Sequence, residues 1–247
     1  LGGDNRFDDR IIDVARSYGI AKLCLSSLGP GWKHQPSVED FVAANRATLE
    51  AMRKYPESVL GFCYVNPRHT LASLDEIKRC VEEFGMVGVK LWVSVRYTEP
   101  CVFKVVEQCI DYNLPILVHA WYKAIGQLPN ESTADEVAEL GRRYPEAKLI
   151  MAHVSGDWEV GARVIKSVPN VVTDISGGDA YTGIVDCVTA MLGVERVVYG
   201  SDASGWSSGR SFASQLAKVF EAHLSDAQRR AILRDNILRL LPQHVHQ

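Results

Sequence analysis

The 247 residues predict an α/β chain: a (β/α)8 (TIM) barrel that apparently lacks its first strand, as one domain over residues 1–247. Two observations lead to this. Short apolar runs alternate with longer amphipathic ones along the chain, the pattern of βα units repeated around a parallel sheet. Three of the short runs, Leu117-Val118-His119-Ala120, Ile150-Met151-Ala152-His153-Val154 and Val198-Tyr199-Gly200-Ser201-Asp202, each close on a residue that can bind a metal or move a proton. Parallel strands of a closed barrel converge at their C-terminal ends on one mouth. His119, His153 and Asp202 are therefore expected to meet there.

The elements follow in order. Residues 6–18 carry Ile11, Ile12, Val14 and Ala15 on one side and read as a helix that Gly19 stops. Residues 20–26 read as a strand. Ser37 caps a helix that runs to Tyr55, before Pro56. A strand over 59–65, a helix over 72–84 ended by Gly85, and a strand over 87–93 with Lys90 at its centre come next. A helix through Val102, Val105, Val106 and Ile110 leads to the His119 strand, and a helix over 135–143 leads to the His153 strand. Residues 157–167 are expected to be helical, 171–175 a strand, and 184–192 a helix before the Asp202 strand. Two helices close the chain, over 212–223 and 226–241.

This gives seven strands where the barrel needs eight, and the first element is a helix. An unclosed gap would leave strand-edge backbone groups unpaired. The reading frame is therefore expected to extend upstream by roughly ten residues, enough for one strand.

Composition narrows the function classes. The net charge is −3 with the signs interspersed, which argues against a nucleic-acid surface. No apolar run reaches the length of a membrane span. Six cysteines occur and none forms Cys-x-x-Cys; with 47% apolar residues available for a core, a disulfide framework is disfavoured and a reduced, cytoplasmic protein is expected.

Each candidate residue has a structural reading beside a functional one. His119 and His153 are either core histidines bonded to backbone or polar groups facing a ligand, and imidazole is both the commonest metal ligand and an acid/base near neutral pH. Asp202 is either a helix N-cap or a carboxylate that needs a partner. Lys90 is read as an internal ion pair, with Asp174 as a partner, or as a group that binds a substrate carboxylate. Asp174 is read as that partner or as a carboxylate that orients a histidine. Trp92, Arg96, Trp121, Lys123 and Trp206 follow strand ends and form a group of substrate-binding candidates, with Arg68 and His34 near the same mouth. His69 and His223 read as surface or helix residues, and His244-Val245-His246 as a tail.

Gly88-Val89-Lys90-Leu91-Trp92, the strand-end His119 and His153, Gly200-Ser201-Asp202 and the ending Asp235-Asn236-Ile237-Leu238-Arg239-Leu240 together resemble the amidohydrolase-related (amidohydrolase 2) TIM barrels, in pattern the subgroup of aminocarboxymuconate-semialdehyde decarboxylase and 2-pyrone-4,6-dicarboxylate lactonase. The resemblance spans about residues 6–241. It implies a divalent metal, zinc by expectation, with His119 and Asp202 as ligands. It implies that His153 is either a second histidine ligand or, the preferred reading, an acid/base beside the metal, and that Asp202 is the base that takes a proton from bound water. Some relatives carboxylate a fourth-strand lysine; the subgroup does not need this of Lys90. Metal-dependent members carry His-x-His on the first strand, so that motif is expected just before Leu1, and metal binding is expected to be weak without it.

The expected enzyme is a metal-dependent hydrolase acting on a small carboxylated organic substrate, by hydrolysis of a C–O or C–N bond or a related decarboxylation. The alternatives are a metal-free lactonase on the same scaffold and a non-catalytic ligand-binding barrel. A homo-oligomer is compatible with all three; a nucleic-acid or membrane partner is not expected.

Overall fold

Alternation of apolar and amphipathic segments produces a sheet wrapped by helices. The computed structural model describes residues 9–178, 182–204 and 208–246. Its strands are β1 (Leu23–Leu25), β2 (Val59–Tyr64), β3 (Gly88–Leu91), β4 (Pro115–Val118), β5 (Lys148–Met151), β6 (Val171–Asp174) and β7 (Val197–Val198). All pair in parallel, each with its neighbours in sequence. Among the described residues β1 and β7 are the two ends of this order. β1 is short, of three residues, and β7 of two.

The helices are α1 (Arg10–Ser17), α2 (Val38–Lys54), α3 (Thr70–Glu82), α4 (Pro100–Asp111), α5 (Ala134–Arg143), α6 (Trp158–Ile165), α7 (Ile184–Leu192), α8 (Ser208–Glu221), α9 (Asp226–Arg230) and α10 (Asn236–Leu240). Gly19 ends α1 with φ +75°, a left-handed conformation that costs glycine little. Ser37 and Asp40 form a reciprocal capping box at the start of α2. The expected last helix over 226–241 is divided: a π-helical turn, Ala231–Asp235, separates α9 from α10. Its Ile232 carbonyl accepts the Tyr199 N–H at 2.9 Å, and Asn236 Nδ2 donates to the Val194 and Val197 carbonyls. The helix is deformed where it is stitched to the end of β7. The first expected strand is trimmed from residues 20–26 to three, because the backbone leaves β2 on either side.

Residue alternation along the strands splits the core in two. Cys63, Val89, Leu91, Ile116, Val118, Leu149, Met151, Val171 and Val197 pack outward among the helices. Leu60, Phe62, Leu117, Ile150 and Val198 turn the other way. The α10 side chains Ile237 and Leu240, with Leu241, fill part of that inner space. The remainder belongs to a cavity of about 900 Å³ that runs on past β1 to α1 and α8. Beside β7, the Arg196 guanidinium donates to the carbonyls of Ile165, Lys166, Val168 and Val171 at 2.7–3.0 Å, tying the end of α6 to β6. All six cysteines are free thiols, and Cys63, Cys80 and Cys109 are buried. No helix among the described residues is long and apolar enough to cross a membrane.

Candidate active site

Beyond β5 the chain makes a turn that L-residues resist. His153, Val154, Ser155 and Gly156 have φ of 66°, 43°, 62° and 73°. Three consecutive non-glycine residues in the left-handed region cost about 1–2 kcal/mol each. The surroundings hold them: Tyr122 N–H donates to the Ser155 carbonyl at 2.7 Å, Ala134 N–H to Ser155 Oγ at 3.1 Å, and His153 N–H to Asp174 Oδ1 at 3.0 Å. Strain of this kind concentrates at working sites. Asp202, after β7, is also left-handed, with φ +50°.

His119 extends β4 by one bond, its N–H donating to the Leu91 carbonyl at 3.1 Å. Its ring lies 5.1 Å from that of His153 and stacks against Trp121 at 6.2 Å, while Trp121 lies 5.0 Å from His153, centroid to centroid. The two strand-end histidines and one predicted tryptophan thus form a single cluster. Behind it is Glu131, 1% exposed. Glu131 Oε1 takes His119 Nε2 at 3.0 Å, and Lys123 Nζ reaches both of its oxygens, at 2.7 and 2.6 Å. Burial works to raise this carboxyl, but the bonds from His119, Lys123 and the Leu128 N–H outweigh it and hold it at about 2. An ionised carboxylate only accepts, so His119 Nε2 carries the proton and Nδ1 the lone pair. Burial in turn lowers the His119 pKa, against the pull of Glu131.

His153 Nδ1 lies 2.9 Å from Ser176 Oγ, which lies 2.6 Å from Asp174 Oδ1. Asp174 ends β6, and Ser176 stands two residues on, facing the same way. Asp174 makes no ion pair with Lys90; its carboxylate takes the His153 and Ser176 N–H groups instead. Of its two expected roles, orienting a histidine is the one with hydrogen bonds behind it. Gly177 permits the close fit: with φ +71°, it would place a Cβ 2.7 Å from His153 Nδ1. Burial pushes the His153 pKa down to about 4, against the raising effect of Asp174. The consequence for stability has a definite sign. The unfolded histidine binds its proton near pH 6.5, the folded one only near 4. Between those values the unfolded state holds more protons, so stability falls as the pH drops through that window. Urea unfolding at pH 7, 6, 5 and 4 should show a shallower acid loss in His153→Gln than in the parent; equal slopes would mean that His153 is not held neutral.

Lys90 lies mid-strand in β3 and is 9% exposed. It lines the 900 Å³ cavity with His153, Asp174, Ser176 and Asp202, amid Leu60, Phe62, Leu117 and Ile150. Burial pulls the Lys90 pKa down to about 8, while Asp202 and Asp174 act in the opposite direction. It remains largely a cation at neutral pH, in apolar surroundings where a carboxylate would be a strong partner.

Other expected residues stand apart. Arg96 is committed to structure: Nε donates to the Pro129 carbonyl and an Nη to Glu136 at 2.8 Å. Trp92 packs edge-on against His34, ring centroids 5.4 Å apart. Arg68 bonds to the Ser94 carbonyl. Trp206 and the side chains of His244 and His246 lie outside the described residues. Glu131 and Ser176 went unnoticed in the sequence. Ser176 had a signal, its i,i+2 spacing from Asp174 at a strand end; Glu131, in a loop 12 residues past His119, had none.

Two imidazoles and a carboxylate are suitable donors for a divalent ion. Among the described residues, however, no group of three His, Cys, Asp or Glu side chains stands close enough together to hold one. The described donors fall short of a complete coordination set.

Solved structures share this architecture. A 2,6-dihydroxybenzoate decarboxylase from Rhizobium aligns with a TM-score of 0.75 at 17% identity, covering 95% of this chain and 88% of its own. A dihydroxybenzoic acid decarboxylase from Polaromonas sp. JS666, with bound manganese and the inhibitor 2-nitroresorcinol, aligns at 0.73 and 17%, covering 95% and 85%. A 4-oxalomesaconate hydratase from Rhodopseudomonas palustris aligns at 0.66 and 16%, covering 95% and 80%. No curated protein sequence matches closely enough to add a nearer relative. The amidohydrolase family profile matches residues 30–243, nearly the whole barrel with its strand-end histidines and Asp202, and on that ground the chain belongs to the amidohydrolase family and is an enzyme of that superfamily.

Proposed function

We propose that this chain, working as one barrel unit, is a decarboxylase or related lyase or hydrolase acting on a small carboxylated substrate, an aromatic acid being preferred. The observation that carries the reading is the shared space itself: a buried cation, a neutral imidazole and Asp202 line one largely apolar cavity. Lys90 draws the substrate carboxylate inward. Trp121 gives an aromatic ring a flat neighbour beside the histidines. His153, neutral at physiological pH, takes a proton from a substrate hydroxyl or a water before it can return one. Asp202 is the second proton-moving group, placed after β7. The apolar walls beside these groups lower the local dielectric, which strengthens each of these interactions. Lys123 acts through Glu131 and His119; Trp92, Arg96 and Trp206 are weaker substrate-binding candidates. A reduced, cytoplasmic setting suits six free thiols.

Metal dependence belongs to the same proposal and is supported by the donor types, with His119 and Asp202 as the residues that would hold the ion and His153 as the acid/base beside it. Zinc is the expected ion and manganese the competitor. A bound divalent ion would polarise a substrate oxygen and acidify water. Loss of an outer partner of a metal ligand costs roughly 10–100-fold in affinity, so His119→Ala should weaken zinc or manganese binding by at least that factor in a calorimetric titration. Equal binding by parent and variant would remove His119 from the ligand set. The second reading is acid–base catalysis without metal on a carboxylated lactone, with Lys90 holding the carboxylate and His153 and Asp202 moving the protons. The test of the main reading is CO2 release or ultraviolet change with 2,6-dihydroxybenzoate, 5-carboxyvanillate and 4-oxalomesaconate, with and without added metal. Turnover of a carboxylated lactone alone, insensitive to chelator, would transfer the assignment to the second reading.

A further inference from the structure

The hydroxyl between Asp174 and His153 has one proton, and the surrounding bonds decide where it points. Asp174 Oδ1 accepts the backbone N–H of His153 at 3.0 Å and of Ser176 at 2.8 Å. An oxygen already receiving two N–H donors carries no proton of its own. Ser176 Oγ is 2.6 Å from that same oxygen, a separation typical of a hydroxyl donating to a carboxylate. The hydroxyl proton is therefore directed at Asp174, and only lone pairs remain toward His153 Nδ1, 2.9 Å away. Two lone pairs facing each other at that distance would repel, so Nδ1 must be the donor.

We infer that Ser176 is a positioning residue that, backed by Asp174, fixes His153 in the Nδ1–H tautomer and leaves Nε2 as the lone-pair nitrogen of a ring lining the cavity. The histidine's pairing depends on a hydroxyl intermediary instead of a direct carboxylate contact. The relay is itself held: Lys218, 3% exposed, donates to the carbonyls of Ile175 and Gly177 on either side of Ser176. Gly177 leaves no Cβ between that loop and the imidazole. The tautomer follows from hydrogen bonds alone. Its value to turnover rests on the proposed role of His153 as proton acceptor.

The experiment is ¹⁵N-histidine NMR of the unliganded protein, with the His153 signals assigned by their loss in His153→Gln. In the parent, Nδ1 should show the protonated shift and Nε2 the unprotonated one. Ser176→Ala should shift His153 to a mixture or to Nε2–H, and Ser176→Thr, which keeps the hydroxyl, should restore the parent pattern. A parent His153 in the Nε2–H form, or an unchanged tautomer in Ser176→Ala with the fold intact by circular dichroism, would overturn the inference. On any substrate the parent turns over, kcat of Ser176→Ala should fall roughly 10–100-fold with KM little changed; an unchanged kcat would overturn the positioning role. Failure of every substrate would count against the proposed function while the NMR arm still decides the tautomer.

Discussion

Asp202→Asn is expected to lower kcat by about 10²–10⁴-fold, the usual contribution of a positioned proton-transfer group, while KM and melting temperature change little. The substitution removes proton transfer and keeps the shape. It also keeps the backbone comfortable: Asp202 sits at φ +50°, and asparagine is among the few non-glycine residues that tolerate this region. Asp202→Ala would mix lost chemistry with backbone strain and is the poorer test. Steady-state kinetics on a turned-over substrate, beside a thermal melt, makes the measurement. Normal turnover by Asp202→Asn would refute the role given to this carboxylate.

The largest expected loss of stability is at Arg196, far from any chemistry. Its guanidinium satisfies four main-chain carbonyls where α6 ends and β6 begins, and hydrogen bonds to a charged group are worth about 1.5–3 kcal/mol each. Water can replace some of them, because the residue is only half-buried. Arg196→Met should still cost about 3 kcal/mol, which for a chain of this size lowers the melting temperature by roughly 6–12 °C. Arg196→Lys should recover only part of this, since an ammonium cannot span the carbonyls as a planar fork does. A loss below about 1 kcal/mol in urea unfolding would show that the carbonyls find other donors.

The repeat of βα units was legible because apolar periodicity reports directly on which faces are buried. The strand-end positions of His119, His153 and Asp202 were legible for the same reason: a polar residue closing an apolar run has few structural excuses. The limits lie where geometry depends on neighbours distant in sequence. Nothing local marks Glu131 as the carboxylate behind His119, since a loop glutamate reads as solvated until another loop buries it. Arg96 read as a mouth cation because sequence shows charge without showing Glu136 beside it. The left-handed run at His153–Val154–Ser155 was invisible, for Val154 is a residue that pattern would never place at φ 43°. The break in the last helix at 231–235 likewise answers to Tyr199, a contact that helical periodicity does not encode.

The order of the described strands bears on how the sheet can assemble. Every strand pairing among the described residues joins neighbours in sequence, so no ladder has to wait for distant parts of the chain to find each other. The entropy of closing a long loop is what slows topologies rich in remote pairings. The packing of α1 against α8 brings together segments far apart in sequence, a side-chain contact that tolerates more misalignment than a hydrogen-bonded register. These strands can therefore be laid down one unit at a time, each on the edge of the one before it.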